Sequence, residues 1–283
     1  MQAPCLISGH FEVWAAARRA SPYLSVLVAA ACLMAAGCEQ SEESDAPTPG
    51  ANHVLVLGGD SALDMIWIPA GEFVMGSPGN EASRKDDEVQ HVVRISKGFW
   101  MSKTEVKQLD YQQLTAVNVS MFPGALNPVE RVSWDQAKEF CRRIEARLGR
   151  GHFRLPTEAE WEYACRAGTT TPYYTGNADT LGTAAWYGAN SGGATHPVNE
   201  KAANAFGLAD MHGNVWEWCE DWYGDYPAGP VTDPTGPASG SAKVVRGGSW
   251  SRVDTSCRSA SRESHGTGNM ADYLGFRIVR TID

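Results

Sequence analysis

The hydrophobic pattern divides the chain into a short apolar run, a polar stretch and a long region of mixed periodicity. Tyr23 to Ala36 is almost wholly apolar and follows the basic pair Arg18-Arg19. It is too short to span a bilayer comfortably and reads as a signal peptide over residues 1–37. From Glu39 to Asn52 no large hydrophobic residue occurs, so burial cannot offset the entropy of ordering and a flexible tether is expected. Residues 38–62 are accordingly assigned to the N-terminal segment and linker, and 63–283 to one globular domain. Within that domain Met65-Ile66-Trp67-Ile68-Pro69, Glu72-Phe73-Val74-Met75 and His91 to Ile95 predict short strands, the first two around a turn at Ala70-Gly71.

Two helices carry clear local signals. Ser133-Trp134-Asp135-Gln136 forms a capping box, and Trp134, Ala137, Cys141, Ile144 and Leu148 then recur at spacings of three and four before Gly149. Thr157-Glu158-Ala159-Glu160 is a second capping box after Pro156, opening a helix whose Trp161, Ala164 and Cys165 share a face. Beyond Gly168, Gly, Asn, Thr, Tyr and Trp dominate without sustained period. Ordered loops of that length need pins such as disulfides, ions or buried tryptophans.

Composition narrows the class. With 43% hydrophobic and 20% charged residues, a sizeable core is within reach. The formal net charge is -9 and no Lys/Arg stripe is present, which excludes an electrostatic footprint for nucleic acid and favours cations as partners. Ala35-Ala36-Gly37-Cys38 resembles a lipobox with Ala35 in the usual leucine position. Acylation of Cys38 would anchor the protein to a bacterial membrane, either in the periplasm or on the cell surface. Arg18-Arg19-Ala20-Ser21-Pro22-Tyr23-Leu24 also has the order of a twin-arginine signal, leaving the export route open.

Several motifs, in order, resemble the formylglycine-generating (sulfatase-modifying factor) family. They are Ile68-Pro69-Ala70-Gly71-Glu72-Phe73-Val74-Met75-Gly76, Thr104-Glu105-Val106, Val132-Ser133-Trp134 and Arg154-Leu155-Pro156-Thr157-Glu158-Ala159-Glu160-Trp161-Glu162-Tyr163-Ala164. Asn204-Ala205-Phe206-Gly207-Leu208, Gly213-Asn214-Val215-Trp216-Glu217-Trp218, Arg246-Gly247-Gly248-Ser249-Trp250 and Leu274-Gly275-Phe276-Arg277 follow. The resemblance implies an irregular, loop-rich α+β fold related to the C-type lectins, in a single domain.

The same resemblance sharpens the chemistry. The family's oxidase binds copper(I) through two cysteines, since soft thiolates suit that ion. Here Arg252 stands where the first cysteine is expected, and Cys257 aligns either with a structural cysteine or, counted without a gap, with the second ligand. The pair is broken in both alignments, so copper and standard formylglycine activity are not expected, although Ser249 matches a family active-site serine. The family's disulfide maps to Cys165 and Cys257, while Cys141 and Cys219 read as small buried hydrophobes. Such a bridge would contribute about 2–4 kcal/mol. The family's calcium loop maps to Asp210 and Glu217 as side-chain donors with the carbonyls of Gly213 and Val215, hard oxygens of the kind calcium takes.

Two functions remain. In the first, the altered stretch between the two fixed motifs is a recognition surface, with Trp250, Ser251, Arg252, Asp254, Ser256, Ser261, Ser264, His265, Asp272 and Tyr273 as ligand-binding candidates. This resembles the variable lipoproteins of diversity-generating retroelements, and the ligand would be a protein or a carbohydrate. In the second, the chain is a noncanonical oxidoreductase or maturation factor acting on an exported protein or small molecule. The scattered His152, His196, His212 and His265 form no compact cluster in favour of it.

Overall fold

A computed structural model describes residues 47–281. The signal peptide, Cys38 and the first part of the tether lie outside the described residues. Asn52–Gly58, placed in the linker by the sequence reading, is instead the first strand of the domain. It forms an antiparallel hairpin with Ser61–Ile68, and its alternation buries Leu55 and Leu57 while Val54 and Val56 face outward. The folded unit therefore begins before Leu63.

The hairpin enters a five-stranded antiparallel sheet in which Phe99–Ser102, Val279–Thr281 and His152–Arg154 follow in order. The turn after Ile68 passes the chain to a different sheet, where Gly71–Met75 pairs with His91–Ile95 and the latter with Val231–Thr232. A third sheet sets Arg262–His265, Lys243–Arg246, Trp216–Trp222 and Leu274–Gly275 side by side.

Among the described residues four α-helices accompany these sheets. Helix α1 (Gln108–Thr115) and the single turn α4 (Ala178–Leu181) carry little sequence signal. Helix α2 (Trp134–Leu148) has the expected capping box, with Ser133 Oγ accepting from Gln136 N at 3.2 Å and Gln136 Oε1 from Ser133 N at 2.9 Å, and it ends at Gly149 with φ +66°. Helix α3 (Glu158–Arg166) is capped by the reciprocal Thr157–Glu160 pair and is buried along its whole length. Its acidic and basic residues must therefore find partners inside.

Those partners are the main pins of the C-terminal loops. Arg277 forks onto Glu217 at 2.6 and 2.8 Å, Arg262 onto Glu158 at 2.8 and 2.7 Å, and Arg258 onto Glu88 at 2.8 and 2.7 Å. Arg246 pairs with Glu162, which Arg166 also engages at 2.8 Å. Trp161, Trp216 and Trp218 are fully buried among them, as the tryptophan-rich sequence suggests. Cys165 and Cys257, the pair the resemblance joins in a disulfide, are separate buried thiols in the structure. Cys165 Sγ lies near Ser259 Oγ, 3.7 Å away, and His212 Nδ1 at 4.0 Å, whereas Cys257 Sγ is 3.8 Å from the Val253 carbonyl.

Candidate functional site

Gly247 and Gly248, with φ of +100° and +78°, turn the chain out of the strand Lys243–Arg246 and over Cys257. A Cβ on Gly248 would stand 2.5 Å from Cys257 Sγ and 3.0 Å from its Cα, so only glycine permits this approach. Cys257 is thereby sealed beneath the loop, and burial pushes its thiol up to about 12. Ser249 is also fully buried, 3.2 Å from Ser251 Oγ. Arg252, expected from the sequence motifs to stand in place of a copper-binding cysteine, is exposed and lies 5.0 Å from the Tyr273 ring centroid.

Trp250 is fixed on all sides. Its backbone N–H donates to the Asn214 carbonyl at 2.8 Å, its indole N–H to the Asp272 carbonyl at 3.0 Å, and its own carbonyl accepts from Ser191 Oγ at 2.7 Å. Arg252 is held through its carbonyl, which accepts from Gly188 N at 2.7 Å. His265 sits 6.0 Å from Tyr273 and 6.2 Å from Trp218, centroid to centroid. Partial burial, reinforced by Arg252 and opposed by Glu263, lowers its pKa, so the neutral imidazole is favoured.

Of the ten candidates, Trp250, Ser251, Arg252, His265, Asp272 and Tyr273 thus form one half-exposed face. Asp254 and Ser256 belong to a separate 3-10 turn over Tyr173, whose hydroxyl donates to the Asp254 carbonyl at 3.0 Å. Ser264 alternates with His265 on its strand and points to the opposite side. Ser261 is buried, and its carbonyl accepts from Arg246 Nη1 at 2.6 Å. The sequence reading missed Phe122, whose ring meets Trp250 edge-on at 5.1 Å. No periodicity marks its loop. Its one cue is an aromatic before Pro123-Gly124. Below that loop Glu130 accepts from Phe122 N at 2.9 Å, and burial raises its carboxyl to about 7.

Behind this face runs the loop read as a calcium site. Glu105, Asp210 and Glu217 are all buried, with Arg277 as the adjacent base. Glu105 accepts from Val215 N at 3.2 Å and Asn214 Nδ2 at 3.1 Å, and Asp210 from Asn199 N at 2.7 Å. Burial, followed by repulsion from Asp210 and Glu217, raises Glu105 well above the usual carboxylate range, and burial lifts Asp210 to about 6. Glu217 is committed to Arg277 and to the Trp161 indole N–H at 2.7 Å. Among the described residues no three His, Cys, Asp or Glu side chains converge on an ion. Of the two expected side-chain donors, Glu217 is therefore taken by Arg277 and Trp161, and Asp210 accepts from Asn199 N.

Residues 57–282 match the family described as "Sulfatase-modifying factor enzyme 1-like domain". The formylglycine-generating enzyme of Streptomyces coelicolor is 38% identical over 175 residues, a match covering 56% of this chain and 54% of that protein, about half its length. Chaperone protein LppX of Paenibacillus barcinonensis is 30% identical over 272 residues, covering 77% of this chain and 89% of the relative. Treponema denticola variable protein 1 has a similar structure, with a TM-score of 0.76, 31% identity and coverage of 82% of this chain and 99% of the other. That match runs through the same C-type-lectin-like frame. The chain belongs to the sulfatase-modifying factor (formylglycine-generating enzyme) family.

Proposed function

We propose that this protein is an exported, lipid-anchored binding module that uses the face around Trp250, Arg252, His265, Asp272 and Tyr273, and that it lacks formylglycine oxidase chemistry. The observation that carries this reading is the exchange at the family's copper position. An always-charged guanidinium occupies the place of a soft thiolate, and Cys257 lies under the loop as a thiol that burial keeps protonated. A rigid aromatic pair with an exposed arginine suits recognition of a protein or carbohydrate partner, because little side-chain entropy is lost on binding. The likeness to a variable protein and to a relative named as a chaperone supports a role in binding. In this reading calcium sits at Asp210 and the Gly213 and Val215 carbonyls, hard oxygen donors of the kind that ion takes.

The test is stoichiometric copper(I) titration of the full chain, with mass spectrometry of a cysteine-containing sulfatase-type peptide incubated with it. No tight binding and no conversion of the peptide is the expected outcome. One-to-one copper binding with conversion would overturn the reading in favour of a maturation oxidase.

A further inference from the structure

The strand Asn52–Gly58 stands at the edge of the five-stranded sheet, with Ser61–Ile68 on one side and no strand on the other among the described residues. Its register fixes which backbone groups stay free. The Trp67 N–H donates to the Ala51 carbonyl at 2.9 Å, so Ala51, His53 and Leu55 turn their backbone groups toward Trp67, Met65 and Leu63. Asn52, Val54 and Val56 turn theirs outward. The residues opposite them agree with this alternation, since the Asp64 carbonyl accepts from Lys103 N at 2.7 Å and the Ala62 carbonyl from Lys107 Nζ at 3.0 Å, both on the far side. Among the described residues nothing bonds the N–H or C=O of Asn52, Val54 or Val56. A free edge accepts another strand, and folded proteins usually block it with charge or proline. Neither lies between Pro49 and Asp60. Val54 and Val56 are 51% and 61% exposed, and His53 is turned to the opposite face, 5.7 Å from the Trp100 ring.

This edge is complementary to itself. Outward-facing residues pair only with outward-facing residues, and two copies laid antiparallel meet that condition in the register centred on Val54. Val54 then faces the second copy's Val54 and Asn52 faces its Val56, each facing pair exchanging both of its N–H···O bonds. A shift toward Gly58 runs into the irregularity between Val56 and Gly58. The chain outside the described residues favours the same occupant. Cys38 precedes Asn52 by fourteen residues, a span of at most about 50 Å, and the chain enters the domain directly at this edge. Copies anchored through an acylated Cys38 hold their edges within that reach of one bilayer, where effective concentrations are of about millimolar order. Confinement matters, because a stable soluble complex buries about 800 Å² on each partner, more than one short strand edge covers. From this geometry we infer that the strand Asn52–Gly58 pairs antiparallel with the same strand of a second copy, joining two five-stranded sheets into one. The inference rests on the anchored reading for the strength of the pairing and not for its register.

Oxidative cross-linking of the full chain in membranes tests this, with cleavage at Asp45 and Asp60 to isolate residues 46–60 for mass spectrometry. Cys141, Cys165, Cys219 and Cys257 are buried and do not compete. Val54→Cys is expected to give a linked pair of these peptides. Val56→Cys alone should not, whereas Asn52→Cys together with Val56→Cys should. Adding Val54→Lys to that double variant should lower the linked fraction about fivefold or more, through like charges facing each other at the two-fold axis. All three positions are exposed, so the substitutions leave folding intact. The mass of the N-terminal peptide reports acylation of Cys38 separately. An acylated chain without the Val54→Cys link, a link from that position to another protein, equal linking by Val56→Cys alone, or indifference to Val54→Lys would each overturn the pairing. In an unacylated chain the anchored reading fails instead, and the same link is then expected from the soluble chain at about millimolar concentration. Its absence there would also overturn the pairing.

Discussion

Replacing Asp221 with asparagine should flatten the dependence of stability on pH across the weakly acidic to neutral range. Asp221 is buried beside three acids that each have a base: Glu158 with Arg262 at 2.7 Å, Glu160 with Arg154 at 2.6 Å and Glu220 with Lys138 at 2.7 Å. Its own carboxyl makes no ion pair among the described residues, and Oδ2 accepts from Glu158 N at 2.9 Å. Burial, followed by repulsion from Glu158, raises it from 3.8 to about 8. Because the folded-state pKa lies above the unfolded one, the native chain keeps this proton while the unfolded chain releases it. The contribution to stability is fully present below pH 3.8 and is lost as pH rises through about 8. At about 1.36 kcal/mol per pH unit the whole window amounts to as much as about 6 kcal/mol, an upper bound that local relaxation reduces. Asparagine retains an acceptor for Glu158 N and does not titrate. Urea unfolding followed by circular dichroism from pH 4 to 9 should show the variant gaining on the wild-type chain as pH rises, then running parallel above pH 8. Parallel curves across the whole range would refute the assignment of an unpaired, buried carboxyl at this position.

Three further outcomes follow from the same geometry. Gly248→Ala should cost about 2 kcal/mol or more in chemical denaturation, because a Cβ at φ +78° meets the Cα and thiol of Cys257, whereas Gly268→Ala, with nothing within 4 Å of its Cβ, should be nearly neutral. Iodoacetamide without reductant should leave Cys165 and Cys257 unmodified in the native chain and alkylate both after unfolding, as read by peptide mass; resistance of both after unfolding would mean that they are bridged. Calcium at a hundred times its dissociation constant should raise native stability by about 2.7 kcal/mol over an EDTA-treated sample, and Asp210→Ala should abolish that difference; a calcium effect that persists in the variant would place the ion elsewhere.

Local signals in the sequence were legible because their partners lie within one turn. Both capping boxes reappear as reciprocal hydrogen bonds three residues apart, and the helix stop at Gly149 needs only its own positive φ. The first strand was missed although Leu55 and Leu57 alternate with Val54 and Val56, since its polar approach resembled a linker. The ion pairs that pin the loops were not legible at all. Glu88 and Arg258 are 170 residues apart, Glu162 and Arg246 84, and Glu217 and Arg277 60, so nothing in either neighbourhood announces the match. The same distance problem blurred the recognition face, where Ser261 and Ser264 looked as available as Ser251 until strand alternation and the reach of Arg246 separated them.

That reach also fixes the middle of the stretch between the two conspicuous motifs. Arg246 donates to the carbonyls of Ser259, Ala260 and Ser261 at 3.0, 2.9 and 2.6 Å, and Arg258 and Arg262 grip Glu88 and Glu158. Residues 258–262 are therefore anchored in the core by bonds to backbone, that of the candidate Ser261 included, and to distant acids, none of which involves Trp250, Ser251, Arg252, His265, Asp272 or Tyr273. The segments on either side, 251–257 and 263–273, are fastened largely through their backbone, as where the carbonyls of Arg252, Thr267 and Tyr273 accept from Gly188 N, Trp134 N and Trp216 N. Side chains there can change without disturbing a buried charge, and breaking such a charge pair typically costs about 3–5 kcal/mol. A surface free to vary over an immobile frame is what a binding module requires, whereas an oxidase needs the opposite, a fixed thiolate pair at these same positions.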